Sequence, residues 1–404
     1  MTIKTPRRLL VIFQILTISL IFLYSWDSLN KNVYMLSAGL VLLTFFSNII
    51  VSKISSGDHY LILIVSMLMS IGVIMIYRIS PELGLKQLLW LTIGIGIFFV
   101  SYFAIKWLSV WDKMLYLYIL INYLFFAITF ILGTRKHGAI NWIEFKGISI
   151  QPGEFAKIVL VFIIAAYFAN ENYAKKIKHA DKILMLIIYS FIGLFFIQRD
   201  LGTALVFFGI FTGLQFIYSK ERYLIWVNIM GAVVGGIVGY FSFDHVKVRI
   251  LTWINPWPYI DNKGYQITQS LFAISTGDYF GTGLGRGNPS FIPLSYNDFI
   301  FSAITEEMGV FTGIGIIMLF MLLTYRGFKI ALKQRQMFYR ILAIGISLMF
   351  GIQAFTIIAG VLKLIPLTGL TLPFVSYGGS SVITSFAALG ILQGSSEKLE
   401  GRII

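Results

Sequence analysis

Apolar runs of about 18 residues or more follow one another along almost the whole chain, separated by short polar links. A run of that length is what a helix needs to cross the hydrocarbon of a bilayer. We delimit twelve, at roughly 9–26, 33–52, 60–78, 85–105, 114–133, 154–170, 183–197, 201–219, 222–241, 298–324, 339–362 and 373–394, the seventh being short. The pattern implies an all-α, polytopic membrane protein. Composition agrees, with 57% hydrophobic and 12% charged residues, whereas soluble domains run near a quarter charged. No polar block among the 404 residues is long enough for a separate soluble domain.

Lys4, Arg7 and Arg8 precede the first run as they would in a signal peptide. That run is too long, and no small-residue cleavage site comes before Trp26 and Asp27, so a retained helix is expected. The net charge of +14 does not point to nucleic acid, because no segment concentrates it with base-stacking aromatics. The basic residues sort to alternate loops instead. One side collects Lys4, Arg7, Arg8, Lys53, Lys106, Lys113, Lys175, Lys176, Lys178, Lys182, Lys220, Arg222, Arg326, Lys329, Lys333, Arg335, Arg340, Lys398 and Arg402. By the positive-inside rule that side is cytoplasmic and so are both termini. Cysteine is absent, which removes disulfides and thiol chemistry.

The polar motifs then fall on the outer side, in 134–153, the 198–200 turn, the long segment 242–297 and the 363–372 turn. A connection of more than 50 residues without a strong secondary-structure period is more often functional than not. At its end, Asp298 leads into an apolar helix that carries Glu306 and Glu307. Ionisable groups at membrane depth cost about 3 kcal/mol each on insertion scales, so they mark candidate sites. Asp298 is also well placed to cap that helix, and the two roles are compatible. At 100° per residue Glu306 could share a cavity with Asp298, while Glu307 points toward a neighbouring helix or a basic loop.

Glu154 and Lys157 stand i, i+3 at a helix start, either as a self-neutralising pair or as a cavity-lining one. Asp200 opens another helix, as a cap or as an inward-facing acid. The glycine-rich 277–288 superficially looks like a nucleotide loop but fits neither the dinucleotide nor the Walker spacing. It reads as a tight outer loop, with a backbone-amide cradle for a diphosphate as the alternative. The four histidines, His59, His137, His179 and His245, are scattered one per loop, and no metal motif or nucleophile constellation is present. Chemistry would have to rest on carboxylates with Lys or Arg: a general base acting on a hydroxyl, and stabilisation of an anionic leaving group.

The segment Pro366-Leu-Thr-Gly-Leu-Thr-Leu-Pro-Phe-Val-Ser-Tyr-Gly-Gly-Ser-Ser381 resembles the most specific signature of the SEDS (shape, elongation, division and sporulation) proteins. Other blocks of that family follow in order: Gly138-Ala with Trp142-Ile143, Gln151-Pro152 with Glu154 and Lys157, Asp200 to Thr203, Gln269-Ser270 with Ala273-Ile274, Gly283 to Gly285, and Asp298 to Phe301 with Glu306-Glu307. The resemblance covers about residues 60–395. Departures are Asn141 for the usual Arg, Gly153 for Ser, Arg199 for Pro, and Leu294 for an acid.

The resemblance implies a ten-helix core at 57–396, two additional helices in 1–56, and a short cytoplasmic tail, 397–404. It implies a peptidoglycan glycosyltransferase of the bacterial plasma membrane that polymerises lipid II on the outer face. Asp298 would take the proton from the 4-hydroxyl of the acceptor as that oxygen attacks C1 of the donor. Undecaprenyl diphosphate would leave and the anomeric centre would invert. Lys157 would stabilise the diphosphate or hold Glu154 and Asp200, with Arg249 and Arg286 as further candidates for the diphosphate and Glu306 as a supporting acid. A divalent cation, magnesium or manganese, could share that task, although no dedicated cage is visible. The implied partner is a class B penicillin-binding protein. The rival readings are a lipid II flippase, whose intramembrane charges would look similar, and a non-catalytic scaffold for a transpeptidase.

Overall fold

The computed structural model describes residues 31–136, 138–145, 148–170 and 180–397, with a few helical residues between 11 and 22. The expected span 9–26 lies largely outside the described residues, as do Lys175, Lys176, Lys178 and the tail from 398 onward. The rest of the chain is overwhelmingly helical. In order come α1 (Lys31–Ile54), α2 (Tyr60–Ile79), α3 (Pro81–Trp107) and α4 (Leu115–Leu132), then strands β1 (Thr134–Lys136), β2 (Ala139–Phe145) and β3 (Ile148–Ile150). These are followed by α5 (Pro152–Ala169), α6 (Ala180–Ile197), α7 (Leu201–Tyr218) and α8 (Tyr223–Ser242). The shorter α9 (Asp244–Ile254) and α10 (Tyr265–Gly277) precede α11 (Ile300–Lys333), α12 (Met337–Val361) and α13 (Gly379–Glu397).

Among the described residues, nine of these helices are long and apolar enough to cross a membrane: α1 to α5, α7, α8, α11 and α12. α6 and α13 occupy the places of the expected seventh and twelfth spans; α13 is rich in Ser, Thr and Gly, which lowers its apolarity. α2, α5 and α12 are buried along most of their length and form the centre of the bundle, while α4 and α8 keep most of their surface outward. α13 packs along α3 and α11 along α12. The connection from α1 to α2 is tied to the end of α13: the Glu397 carboxylate accepts from the Ser56 amide at 3.0 Å and pairs with Lys106 at 2.9 Å.

Two expectations need correction. The segment 242–297 is not a loop without structure, since α9 and α10 occupy nearly half of it. The connection 134–153 is a small antiparallel sheet in the order β1-β2-β3, with Thr134 opposite Trp142 and Ile143 opposite Ile150. Both elements border the site.

Candidate active site

One cavity of about 790 Å³ lies among β2, the starts of α5 and α7, the face of α9, the residues before α11, and the segment 363–381. Each wall follows from local sequence. Pro152 starts α5 at a position where its missing N–H costs nothing, and Glu154 and Lys157 come out one turn apart. The Lys157 ammonium donates to Glu154 Oε1 at 2.7 Å and to Gln353 Oε1 of α12 at 2.8 Å. Thr384 of α13 donates to Glu154 Oε2 at 3.3 Å. Glu154 reaches the cavity lining, but Lys157 is buried behind it and does not. Lys157 therefore holds Glu154 in place rather than facing a ligand.

Asp200 is both cap and cavity acid. Its Oδ1 accepts from the Thr203 amide at 3.1 Å, while Oδ2 accepts from Asn141 at 2.7 Å and Gln151 at 3.2 Å. The Ile140 amide donates to the Gln198 carbonyl at 2.9 Å, which hooks β2 onto this turn and brings Asn141 to Asp200. Just before it, Arg199 follows α6 in the left-handed conformation (φ 61°), lines the cavity, and carries its guanidinium over the Phe243 ring.

Asp298 comes from the opposite wall. It does not cap α11: the flanking residue is Phe299, and no side-chain cap bond forms there. The Asn297 carbonyl accepts from Ser376 at 2.8 Å and the Tyr296 carbonyl from the Tyr377 amide at 2.9 Å, so the signature segment fixes the backbone that carries Asp298. Arg249 of α9 donates to the Thr368 carbonyl at 2.9 Å. Gly369 (φ 73°) separates Arg249 from Asp298, and a methyl group there would come within 2.9 Å of Arg249 Nη2 and 3.5 Å of Asp298 Oδ2. Glycine is required both for that conformation and for the close approach. None of the described residues donates a hydrogen bond to the Asp298 carboxylate. Burial pushes it up to about 6, and Arg249 offsets part of that rise. His245, one turn before Arg249, is held below its usual value by burial and then by Arg249 and Arg199.

Glu306 and Glu307 are elsewhere. α11 breaks at Gly309 (φ 80°), and a methyl there would collide with the backbone of Tyr279 and Gly281. The break frees the carbonyls of Glu306 and Glu307, which accept from the amides of Thr282 (2.9 Å) and Gly283 (3.0 Å). Their carboxylates also hold the glycine-rich loop: Glu306 accepts from the Asn288 amide at 2.8 Å and Glu307 from the Gly285 amide at 3.0 Å. Glu307 pairs in addition with Arg78 of α2 at 3.1 Å, the neighbouring-helix contact expected of it. Glu306 does not share the cavity with Asp298. The loop amides that would cradle a diphosphate are taken by these two acids, and Arg286 is exposed and outside the cavity lining. Thus the structure brings Asp298, Arg249, Asp200 and Glu154 to one cavity, with Lys157 behind it, and leaves Glu306 and Arg286 apart.

Gln353, Thr384 and Trp253 were not singled out from sequence. A glutamine inside the apolar run 339–362 is the signal that could have found Gln353. The helical spacing of His245, Arg249 and Trp253 could have found α9. Among the described residues no three His, Asp or Glu side chains come together as a metal set.

The architecture is that of a known group of membrane proteins. The family model of the FtsW/RodA/SpoVE cell cycle proteins matches residues 58–400, and the chain belongs to that family. It is 33% identical over 384 residues to the peptidoglycan glycosyltransferase RodA of Mycobacterium tuberculosis (strain ATCC 25618 / H37Rv), covering 88% of this chain and 82% of that one. It is 31% identical over 361 residues to stage V sporulation protein E of Bacillus subtilis (strain 168), covering 84% and 97%. A chain from a solved structure described as the structural coordination of polymerization and crosslinking by a peptidoglycan synthase complex superimposes with a TM-score of 0.70 at 25% identity, covering 86% of this chain and 99% of that one.

Proposed function

We propose that this protein is a peptidoglycan glycosyltransferase that polymerises lipid II, with Asp298 as its general base. The observation that carries the reading is the Asp298 carboxylate, which faces the cavity near Arg249 and accepts no hydrogen bond from the described residues; burial raises it to about 6. A base of that strength is ionised at neutral pH and still accepts a proton readily. In the proposed step the acceptor hydroxyl oxygen forms a bond to C1 of the donor sugar as Asp298 takes its proton. The C1–oxygen bond to the diphosphate breaks, and its electron pair leaves with undecaprenyl diphosphate. Displacement from the opposite face inverts the anomeric centre. Arg249, fixed by Thr368, supplies positive charge next to the reacting centre, and Arg199 supplies it at one end of the cavity. Asp200 and Glu154 are occupied by hydrogen bonds and shape the wall. A magnesium or manganese ion would enter as the counter-ion of the diphosphate.

Within this reading the cavity faces outward, the 57–396 core carries the activity, and a class B penicillin-binding protein supplies crosslinking. The test is strand synthesis from lipid II by the purified protein, with Asp298→Ala as control. Loss of product with retained folding is expected. Undiminished synthesis by Asp298→Ala overturns the base assignment. Passage of fluorescent lipid II across vesicles without strand synthesis would identify a flippase instead, and activity that appears only through a partner transpeptidase would identify a scaffold.

A further inference from the structure

α9 presents His245, Arg249 and Trp253 to the cavity at intervals of four residues, a stripe about 12 Å long at 1.5 Å per residue. The stripe is stapled to the segment after α12 at two points. Arg249 donates to the Thr368 carbonyl at 2.9 Å, and one turn further the Trp253 indole Nε1 donates to the Lys363 carbonyl at 3.1 Å. Because Nε1–H is the only polar group of the indole, that bond leaves its ring with nothing but an apolar face, held at a fixed angle and half-buried in the cavity wall. Lys263, Gln266 and Lys363 line the cavity as well.

Of the other aromatic groups at or near the cavity, which include Trp142 and Phe299, four are engaged with protein neighbours. Tyr296 and Tyr377 pack edge to face at 5.8 Å. Trp90 closes against Gly379, where a methyl would meet the ring at 2.7 Å. The Phe243 ring has the Arg199 guanidinium over it. A rigid indole face with lysine and glutamine side chains in the same cavity matches a hexopyranose, whose C–H face packs on an aromatic ring while its hydroxyls take hydrogen bonds.

We infer that Trp253 is the platform on which a hexopyranose ring of the substrate stacks, one helical turn from Arg249 and in the same cavity as Asp298. The inference rests on the glycosyltransferase reading for the source of the sugar, but its test does not depend on turnover. The probe is chitotetraose, a soluble β-1,4-linked tetramer of N-acetylglucosamine, titrated into the purified full chain in detergent and followed by saturation-transfer NMR. Thermal stability of each variant is measured in parallel.

Two substitutions separate platform from staple. Trp253→Phe keeps a ring and loses the N–H donor, whereas Trp253→Gln keeps an N–H donor and loses the ring. A platform predicts that Trp253→Phe binds within about twofold of the parent and that Trp253→Gln binds roughly tenfold more weakly, the loss of one ring contact. Equal losses in both variants, a larger loss in Trp253→Phe, or no chitotetraose binding by the parent protein each overturns the inference. Strand synthesis by Asp298→Ala would remove the base reading, while weakened sugar binding in Trp253→Gln would still stand.

Discussion

Two ends of one short stretch treat their carboxylates in opposite ways. At 298 the acid follows a backbone fixed by Ser376 and Tyr377, and its side chain receives no hydrogen bond from the described residues. At 306 and 307 the acids are bonded to loop amides, and one of them also to Arg78. The difference separates chemistry from architecture. A carboxylate that accepts hydrogen bonds from loop amides or pairs with a guanidinium anchors the backbone around it through those bonds. A desolvated carboxylate without them holds its proton more readily and can exchange it with a ligand.

The largest effect should come from removing the unoccupied acid. Asp298→Asn is expected to lower the rate of strand synthesis by about 10²–10⁴-fold, the usual worth of a general base. It should not lower thermal stability. The folded-state value of Asp298 is raised above its ordinary 3.8, so its contribution to stability is present at low pH and is lost as pH rises through about 6. An amide carries no such penalty at neutral pH. A Tm that falls together with activity would mean that Asp298 is architectural after all.

The opposite end should fail in the opposite sense. Arg78→Leu leaves Glu307 buried beside the loop without its cation, and breaking a buried pair in this way costs about 3–5 kcal/mol. Thermal unfolding of the variant in detergent should show that loss. Activity per folded molecule should fall far less than in Asp298→Asn. The double variant Arg78→Leu with Glu307→Leu should recover part of the stability, since the uncompensated charge is gone. If Arg78→Leu is as stable as the parent but inactive, the loop end belongs to the chemistry.

A smaller effect concerns pH. kcat/KM should be flat above about pH 7 and fall toward a tenfold loss per unit below about pH 6, as Asp298 becomes protonated. Arg78→Leu should keep the same limb, because Glu307 does not take part in it. Absence of any limb between pH 5 and 7 in single-turnover measurements would separate the titration of Asp298 from the rate.

The same contrast shows what the sequence could disclose. Runs such as 60–78 and 339–362 correspond to α2 and α12 within a residue or two, because bilayer length and apolarity demand little else. Asp298 and Asp200 were legible as acids at the mouths of apolar helices, and Arg249 only as a further candidate for the diphosphate through the family resemblance. Glu306 was misjudged for a definite reason. Counting 100° per residue from Asp298 assumes that Asp298 lies in the helix, and α11 begins only at Ile300. Nor does helix geometry reveal that the loop 277–288 folds back onto the break at Gly309, since that contact is tertiary. α9 was hidden by its length of 11 residues and its mixed polarity, and the sheet by strands of 3, 7 and 3 residues, too short for alternation to register.

The smallest expected effect is also informative, because it concerns a residue that sequence alone ranks with Arg249. Both are arginines in the segment between α8 and α11, and both are candidates for the charge of a leaving diphosphate. Arg249 is fixed by the Thr368 carbonyl and lines the cavity beside Asp298. Arg286 is exposed, on a loop whose neighbouring amides bind Glu306 and Glu307, and it does not line that cavity. A solvated guanidinium beyond the cavity is screened from a charge developing inside it, since exposed charges interact weakly across more than a Debye length of about 8–10 Å. Arg286→Ala should therefore change kcat/KM by less than about twofold, within the ±0.5 kcal/mol typical of surface substitutions. Arg249→Ala, measured in the same assay, should lose at least tenfold. A comparable loss in both variants would show that the glycine-rich loop moves onto the substrate during the reaction, and would dissolve the division between the two ends of the stretch.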